Sequence, residues 1–178
     1  MKKNLKEILG KQILFFDGGT GTVLQEWGLK PGEFSENWNL SHPEKIQQLH
    51  YEYYKAGANI IKTNTFGALS IKFPLNLEKI ITSAIQNANN ARNQIQKENQ
   101  NSDKNEYFIA YDISSTGKLL KPLGDLDFED AVNIFKKSFN IALKQKIDCI
   151  LIETMNDGYE TKAAVLAAKE SLQENKID

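Results

Sequence analysis

Near the start of the chain stands Gln12-Ile13-Leu14-Phe15-Phe16-Asp17-Gly18-Gly19, an apolar run that ends in an aspartate and two glycines. The run Ile13–Phe16 is continuously apolar, which is typical of a parallel strand covered on both faces. Adjacent glycines let the backbone turn sharply after it. The stretch therefore predicts the first strand and loop of a parallel α/β fold.

The same strand, loop and helix pattern occurs four times. The predicted strands are Gln12–Phe16, Asn59–Lys62, Tyr107–Tyr111 and Cys149–Ile152. Polar residues end them: Asp17, Thr63 with Asn64, Asp112 and Glu153. Strands that alternate with helices pair in parallel, and an eight-unit barrel carries its chemistry at these strand ends. We predict an α/β fold in which residues 1–178 form a single partial domain, the first four βα units of a TIM-type (β/α)8 barrel with outer helices.

Several helix boundaries are also predicted. Ser41 and Glu44 have the spacing of a capping box, and Gly57 is a stop signal. Apolar residues at helical period predict a helix over 77–95, and Asp127 and Asp157 each open another. The last of these helices is expected to bury Ala164, Val165, Ala168 and Leu172. Residues 98–106 are polar and predict a solvated loop.

Composition excludes several classes of protein. Of the 178 residues 40% are hydrophobic, which suffices for a real core, and the net charge is −1, so nucleic acid is not an expected partner. No apolar run reaches the length of a membrane span, and no signal peptide is recognisable. Cys149 is the only cysteine, so an internal disulfide is excluded. We expect a cytoplasmic protein with no membrane partner.

Two strand ends are candidates for ligand binding. After Asp17, the Gly18-Gly19 turn and a short helix predicted over 22–27 offer backbone N–H groups to an anion, although a tight turn without a ligand explains them equally well. Glu153 follows three apolar residues and would be dehydrated without a cation or donors. It is either the partner of a substrate ammonium or a carboxylate that serves the dipole of the next helix.

The remaining polar strand ends are open to two interpretations. Thr63 and Asn64 can donate and accept hydrogen bonds in a barrel mouth, but loop polarity explains them as well. Asp112 is expected to orient a neighbouring loop. Cys149 is expected to be a buried thiol, and His42 and His50 are expected to be structural or solvated, so neither a zinc site nor a catalytic triad can be built from them.

Four motifs together resemble the homocysteine S-methyltransferase family: 17–22, 56–68, 151–154 and 162–168. The resemblance implies an eight-unit barrel enzyme that transfers a methyl group to the zinc-bound thiolate of homocysteine, in methionine synthesis. It also implies that Asp17, Gly18 and Gly19 hold the polar end of the amino acid, that Glu153 binds its ammonium, and that Thr63 and Asn64 line the pocket. With the family in view, these residues together suit a zwitterion. No catalytic residue is expected in this chain.

Two departures from the family pattern limit what the resemblance implies. The loop Asp112-Ile113-Ser114-Ser115-Thr116-Gly117 replaces an Asp-Ile/Leu-Gly-Pro-Thr motif. The family's zinc cysteines lie at the ends of strands six and eight, whereas this chain stops before strand five. Zinc is thus implied without its ligands, and a methyl donor cofactor, cobalamin or folate, is not encoded here. The isolated chain is expected to be inactive and to need a complementary half-barrel or to self-associate through open sheet edges.

Two other functions remain open from the sequence. The chain could be a non-catalytic truncated fragment or binding module. It could also be an unrelated barrel that binds a phosphorylated small molecule at the Gly18-Gly19 loop.

Overall fold

A computed structural model describes residues 4–99 and 106–177. Its helices are α1 (Leu5–Ile8), α2 (Thr20–Glu26), a 3-10 helix (Ser35–Asn37), α3 (Trp38–Ser41), α4 (Pro43–Lys55), α5 (Leu77–Glu98), α6 (Phe128–Ala142) and α7 (Gly158–Glu174). Its strands are β1 (Ile60–Lys62), β2 (Phe108–Ile113) and β3 (Cys149–Ile152). No helix in the described ranges has both the length and the apolar character needed to cross a membrane.

The three strands form a parallel sheet in the order β1-β2-β3. Ile60 pairs with Phe108, and Tyr111 pairs with Ile150. A long helix follows each strand along the chain, namely α5, α6 and α7. The predicted succession of parallel βα units is therefore confirmed, and the polar strand ends come to the same edge of the sheet.

The predicted strand Gln12–Phe16 is only partly formed, so that prediction is wrong in extent. Phe16 makes an isolated parallel bridge with Ile60, and the carbonyl of Phe15 accepts the N–H groups of Asn59 and Ile60 at 2.8 and 3.0 Å. Ile13 is 80% exposed. Because this segment has a pairing neighbour on one side alone within the described residues, nothing there holds Gln12 and Ile13 in a regular strand.

The third predicted strand is longer than expected. β2 continues to Ile113, two residues beyond the predicted end at Tyr111, so Asp112 lies inside the strand. All six residues of β2 are buried, and the strand is paired on both sides. Pairing on both sides holds the backbone extended for longer than the apolar pattern indicates.

The strands separate two apolar layers, because successive side chains point to opposite faces. On one face Ile61, Ile109 and Tyr111 pack beneath the long helices. On the other face Ile60, Phe108 and Ala110 contact α1 through Leu5 and Ile8. This second face is the one that turns toward a barrel interior.

The capping box predicted at Ser41 and Glu44 is wrong. Ser41 is the last residue of α3, and its hydroxyl donates to the carbonyl of Asn37. Pro43 begins α4, and a residue before proline is disfavoured in the α region, so His42 breaks the helix with a φ of −138° and takes the N-cap position.

The other predicted helix boundaries agree more closely with the structure. Gly57 has a φ of +109° just after α4, as a helix stop requires. Asp127 and Asp157 occupy the predicted N-cap positions. The helix predicted over 22–27 begins earlier, at Thr20. Most of the predicted loop over 98–106 lies outside the described residues.

The buried face predicted for α7 is partly wrong. Ala164 and Ala168 are buried, but Val165 is 40% exposed. Val165 lies against an apolar groove of about 460 Å³ beside β3, where no described element covers it.

Candidate functional site

Four charged side chains come together where the strands end. Lys62 is the last residue of β1, Asp112 lies near the end of β2, and Glu153 follows β3. Asp17 follows residues 12–16, the edge segment that pairs with β1 through Phe16. Lys62 Nζ lies 3.0 Å from Glu153 Oε1. Asp17 Oδ2 accepts a hydrogen bond of 2.9 Å from the Lys62 N–H. The structure thus groups three carboxyl groups around one ammonium.

A pocket of about 320 Å³ opens over this cluster. Of the residues predicted to bind a ligand, Thr63, Asn64 and Glu153 line it, and Lys62 and Asp112 line it with them. The other predicted residues lie beside it. Asp17 joins the cluster through Lys62, whereas Gly18 and Gly19 form the adjoining turn.

Burial raises the pKa values of the two aspartates in the cluster. It raises the pKa of Asp17 to about 6, against the N–H and the charge of Lys62. Burial, together with the negative charge of Glu153, raises the pKa of Asp112. Burial would lower the pKa of Lys62, but its hydrogen bond to Glu153 and the surrounding carboxylates outweigh burial and raise it. Lys62 is therefore a permanent cation, while Asp112 keeps a proton at pH values where an ordinary aspartate is ionised.

Two oxygen atoms of the cluster have no hydrogen-bond donor. They are Asp17 Oδ1 and Asp112 Oδ1, and both are buried without a partner among the described residues. Asp112 is only 4% exposed and lines the pocket. A buried carboxyl oxygen without a donor is unfavourable, so a ligand that brings N–H groups would stabilise this site.

The Gly18-Gly19 turn is fixed by Tyr53 of α4. The Tyr53 hydroxyl donates to the carbonyl of Gly19 at 3.0 Å. A Cβ atom on Gly18 would lie 3.0 Å from that same hydroxyl oxygen, which leaves little room for any side chain. The glycines therefore allow a close approach of α4 to the turn. This packing explains the turn without a ligand, and it occupies the carbonyl of Gly19 rather than the backbone N–H groups that would bind an anion.

Thr63 and Asn64 use their side chains inside the protein. Thr63 Oγ1 lies 2.6 Å from Thr65 Oγ1 and accepts the N–H of Asp112 at 3.2 Å. Asn64 Nδ2 donates to the carbonyl of Ser35 at 2.8 Å and to Asn39 Oδ1 at 3.2 Å. These bonds shape the loop after β1, and they join the Asn64 amide nitrogen to residues 35–39, so Asn64 lines the pocket with that nitrogen already hydrogen-bonded.

Sequence reasoning missed three residues that shape the site. Lys62 was recognisable as the charged end of an otherwise apolar strand, on the same face as Ile60. Glu36 and Glu160 gave a weaker signal, since each appears as an ordinary polar residue of a loop or a first helical turn. Both are buried: Glu36 accepts the N–H of Gly67, and Glu160 accepts the N–H and the hydroxyl of Thr116 at 2.7 and 2.6 Å.

The residue after Glu153 has an unusual backbone. Thr154 has a φ of +52°, which is rare for a β-branched side chain, and its carbonyl accepts a hydrogen bond of 3.2 Å from Ser114 Oγ. That bond comes from the loop where the sequence departs from the family motif. Strain of this kind concentrates at functional sites, which agrees with a role for the adjoining Glu153.

The described residues do not fit the zinc ion that the family resemblance implies. Within 4–99 and 106–177, no three His, Cys, Asp or Glu side chains are grouped so that they could hold a metal ion. Cys149 lies in β3, and burial raises the pKa of its thiol to about 11, which opposes the thiolate form that binds zinc.

The chain matches the family profile described as homocysteine S-methyltransferase over residues 14–177. It is 30% identical over 174 residues to betaine–homocysteine S-methyltransferase 1 of Xenopus tropicalis, covering 96% of this chain and 42% of that protein. It is 27% identical over 176 residues to methionine synthase of Mycobacterium leprae, covering 95% of this chain and 14% of that protein. The chain thus spans less than half of either relative.

The fold also matches a solved structure. The oxidised form of the Escherichia coli homocysteine methyltransferase MmuM superposes with a TM-score of 0.80 at 21% identity, covering 98% of this chain and 63% of that one. This likeness concerns the fold. It assigns the parallel sheet and its helices to part of a larger barrel, as the sequence predicts.

Proposed function

Because the chain belongs to the homocysteine S-methyltransferase family, we propose that it supplies the amino-acid-binding part of a barrel that transfers a methyl group to homocysteine. Residues 1–178 would form one partial domain, the N-terminal half of that barrel. The observation that carries the proposal is the carboxylate-rich pocket at the strand ends, where Asp112 offers a buried oxygen without a donor.

We assign the roles within this pocket as follows. Glu153 binds the substrate ammonium. Asp17, which accepts the backbone N–H of Lys62, adds negative charge to the site. The backbone of the Gly18-Gly19 turn binds the polar end of the amino acid. Thr63 and Asn64 form the wall of the pocket and hold its shape through their internal hydrogen bonds.

Activation of the sulfur is not assigned to these residues. A free thiol of pKa about 8.5 is only a few per cent thiolate at neutral pH, so methyl transfer needs a group that stabilises the thiolate. The described residues bind and orient the amino acid in our proposal. Zinc and the methyl donor, cobalamin or a folate, would act through parts of the complete enzyme beyond this segment.

A complementary half-barrel or a second copy is the proposed partner. Phe15 is 63% exposed in the edge segment, and the apolar groove beside β3 lies at the opposite edge of the sheet. Apolar edges with unpaired backbone groups favour association. A fragment that binds the amino acid without turnover is the second candidate, since the pocket of the described residues offers groups that bind an ammonium and none that activates a thiol.

Titration calorimetry of the 178-residue chain with homocysteine and with inorganic phosphate tests the proposal. We expect heat of binding with homocysteine and none with phosphate, because three carboxyl groups surround the pocket. Binding of phosphate without homocysteine would support the rival barrel for phosphorylated ligands instead.

A further inference from the structure

The carboxylate assigned to the substrate ammonium already carries an ammonium of the chain itself. Lys62 Nζ is 3.0 Å from Glu153 Oε1, and both residues line the pocket. Their side chains are partly exposed, 22% for Lys62 and 30% for Glu153, so this pair is accessible to a ligand. An α-amino acid would bring a second ammonium to the same oxygen atoms.

The sheet explains how Lys62 reaches that position. Lys62 lies on the face of β1 that Ile60 shares with α1, while Ile61 packs beneath the helices. Since β2 lies between β1 and β3, the lysine side chain must extend past β2 to meet Glu153. It therefore passes the place where Asp112 offers an oxygen without a donor.

Lys62 consequently has a second acceptor within the cluster. Asp17 and Asp112 both act on its charge, and neither is paired with another cation among the described residues. A lysine side chain is long and flexible, so moving its ammonium from Glu153 toward Asp112 requires no backbone change. Asp17 is mostly ionised at neutral pH, and Asp112 can release its proton when the ammonium approaches, so the cluster keeps Lys62 neutralised whether or not Glu153 is available.

We propose that Lys62 is an internal competitor for the ammonium subsite, and that a bound α-amino acid displaces its Nζ from Glu153 toward Asp112. This inference rests on the proposed function and deepens it. Lys62 becomes the residue that sets the affinity of the pocket for the ammonium group. It lowers that affinity and keeps Glu153 paired when no ligand is present.

The test compares the unaltered chain with Lys62→Met, which keeps an unbranched side chain and removes the charge, and with Lys62→Arg, which keeps the charge. Calorimetry uses homocysteine, 3-aminopropanethiol, which lacks the carboxylate, and 4-mercaptobutanoate, which lacks the ammonium. We expect Lys62→Met to bind the first two about tenfold more tightly, the scale of one hydrogen bond to a charged group, and to bind 4-mercaptobutanoate unchanged. Lys62→Arg should stay near the unaltered chain.

Each other outcome decides the matter. Weaker binding of homocysteine by Lys62→Met would overturn the proposal, and weaker binding of 4-mercaptobutanoate as well would assign Lys62 to the substrate carboxylate. Homocysteine affinity that is equal in Lys62→Met and the unaltered chain would also overturn it, while the proposed function stands. Binding by Lys62→Met alone supports it. If no variant binds homocysteine, the proposed function fails and this inference fails with it. Thermal melts verify folding, and Lys62→Gln replaces Lys62→Met if that variant does not fold.

Discussion

Glu36 Oε1 accepts the backbone N–H of Gly67 at 2.5 Å and thereby joins the 3-10 helix before α3 to the loop after β1. Both residues are buried. A Cβ atom on Gly67 would lie 2.9 Å from the same oxygen. The contact explains why the loop that carries Thr63 and Asn64 packs so closely against residues 35–39.

Gly67→Ala should destabilise the protein because the new methyl group forces Glu36 away from its hydrogen bond. We expect a loss of about 1–3 kcal/mol in the free energy of unfolding, measured in urea, the usual range for overpacking a filled site. Gly21→Ala is the matched control. A Cβ there meets open space inside α2, so that variant should gain about 0.5–1 kcal/mol. Equal stability of the two variants would contradict this account.

His50 should make the protein less stable in acid. It is 0% exposed, and neither ring nitrogen has a hydrogen-bond partner among the described residues. Burial lowers its pKa from 6.5 to about 4. Between these two values the unfolded chain binds a proton that the folded chain does not, so stability is lost as the pH falls, by up to about 3 kcal/mol.

Urea melts at several pH values measure this effect. His50→Leu should remove that share of the pH dependence between pH 6.5 and about 4. His42→Leu should leave it in place, since His42 is half-buried on the surface of the protein and bonded to Ser41. A pH dependence in His50→Leu that matches the unaltered chain would show that the ring is not buried in its neutral form.

Asp112 should change the stability of the protein with pH in the direction opposite to that of His50. Burial and the charge of Glu153 raise its pKa above the ordinary 3.8, so the folded chain holds a proton that the unfolded chain has released. Its contribution to stability is complete below pH 3.8 and is lost as the pH rises through the raised pKa. Asp112→Asn should therefore match the unaltered chain in acid and exceed its stability at alkaline pH.

The control for this variant is Asp125→Asn, which changes an exposed carboxylate. It should follow the unaltered chain at every pH. If Asp112→Asn gave no gain in stability at alkaline pH, the carboxyl group would be paired or solvated rather than buried beside Glu153.

The exposed sheet edges should make the purified chain associate. Ile13 and Phe15 are exposed at one edge, and the apolar groove beside β3 lies at the other. We expect dimers or larger species at tens of micromolar in analytical ultracentrifugation. A monodisperse monomer with a cooperative melt and no binding of an apolar-surface dye would contradict this expectation.

The sequence predicts the parts of the fold that depend on local pattern. The apolar stripe over 77–95 became α5, and the apolar run before Glu153 became β3. The prediction from sequence fails where pairing with a strand that is distant in the sequence determines the structure. The run Ile13–Phe16 is apolar enough for a strand, but its first residues have no strand pairing among the described residues, whereas Asp112 is held in β2 by pairing on both sides.

The site was harder to predict than the fold for a similar reason. The positions of Asp17 and Glu153 follow from where the strands end, so the pattern locates them. The partners of their side chains do not follow, because Lys62 reaches Glu153 across β2, and Asn64 turns toward residues 35–39. Side-chain direction across a sheet depends on register and packing, which a single sequence does not contain.

We assign the ammonium of the amino acid to Glu153, and calorimetry of Glu153→Gln is the sharpest test of that role. Glu153→Gln removes the charged acceptor that we assign to the substrate ammonium. Homocysteine binding should then weaken by about 1.5–3 kcal/mol, the range for a hydrogen bond to a charged group. Glu129→Gln, an exposed change on α6, should bind as the unaltered chain does. Unchanged affinity of Glu153→Gln together with a large loss of thermal stability would contradict the claim and make Glu153 a structural residue.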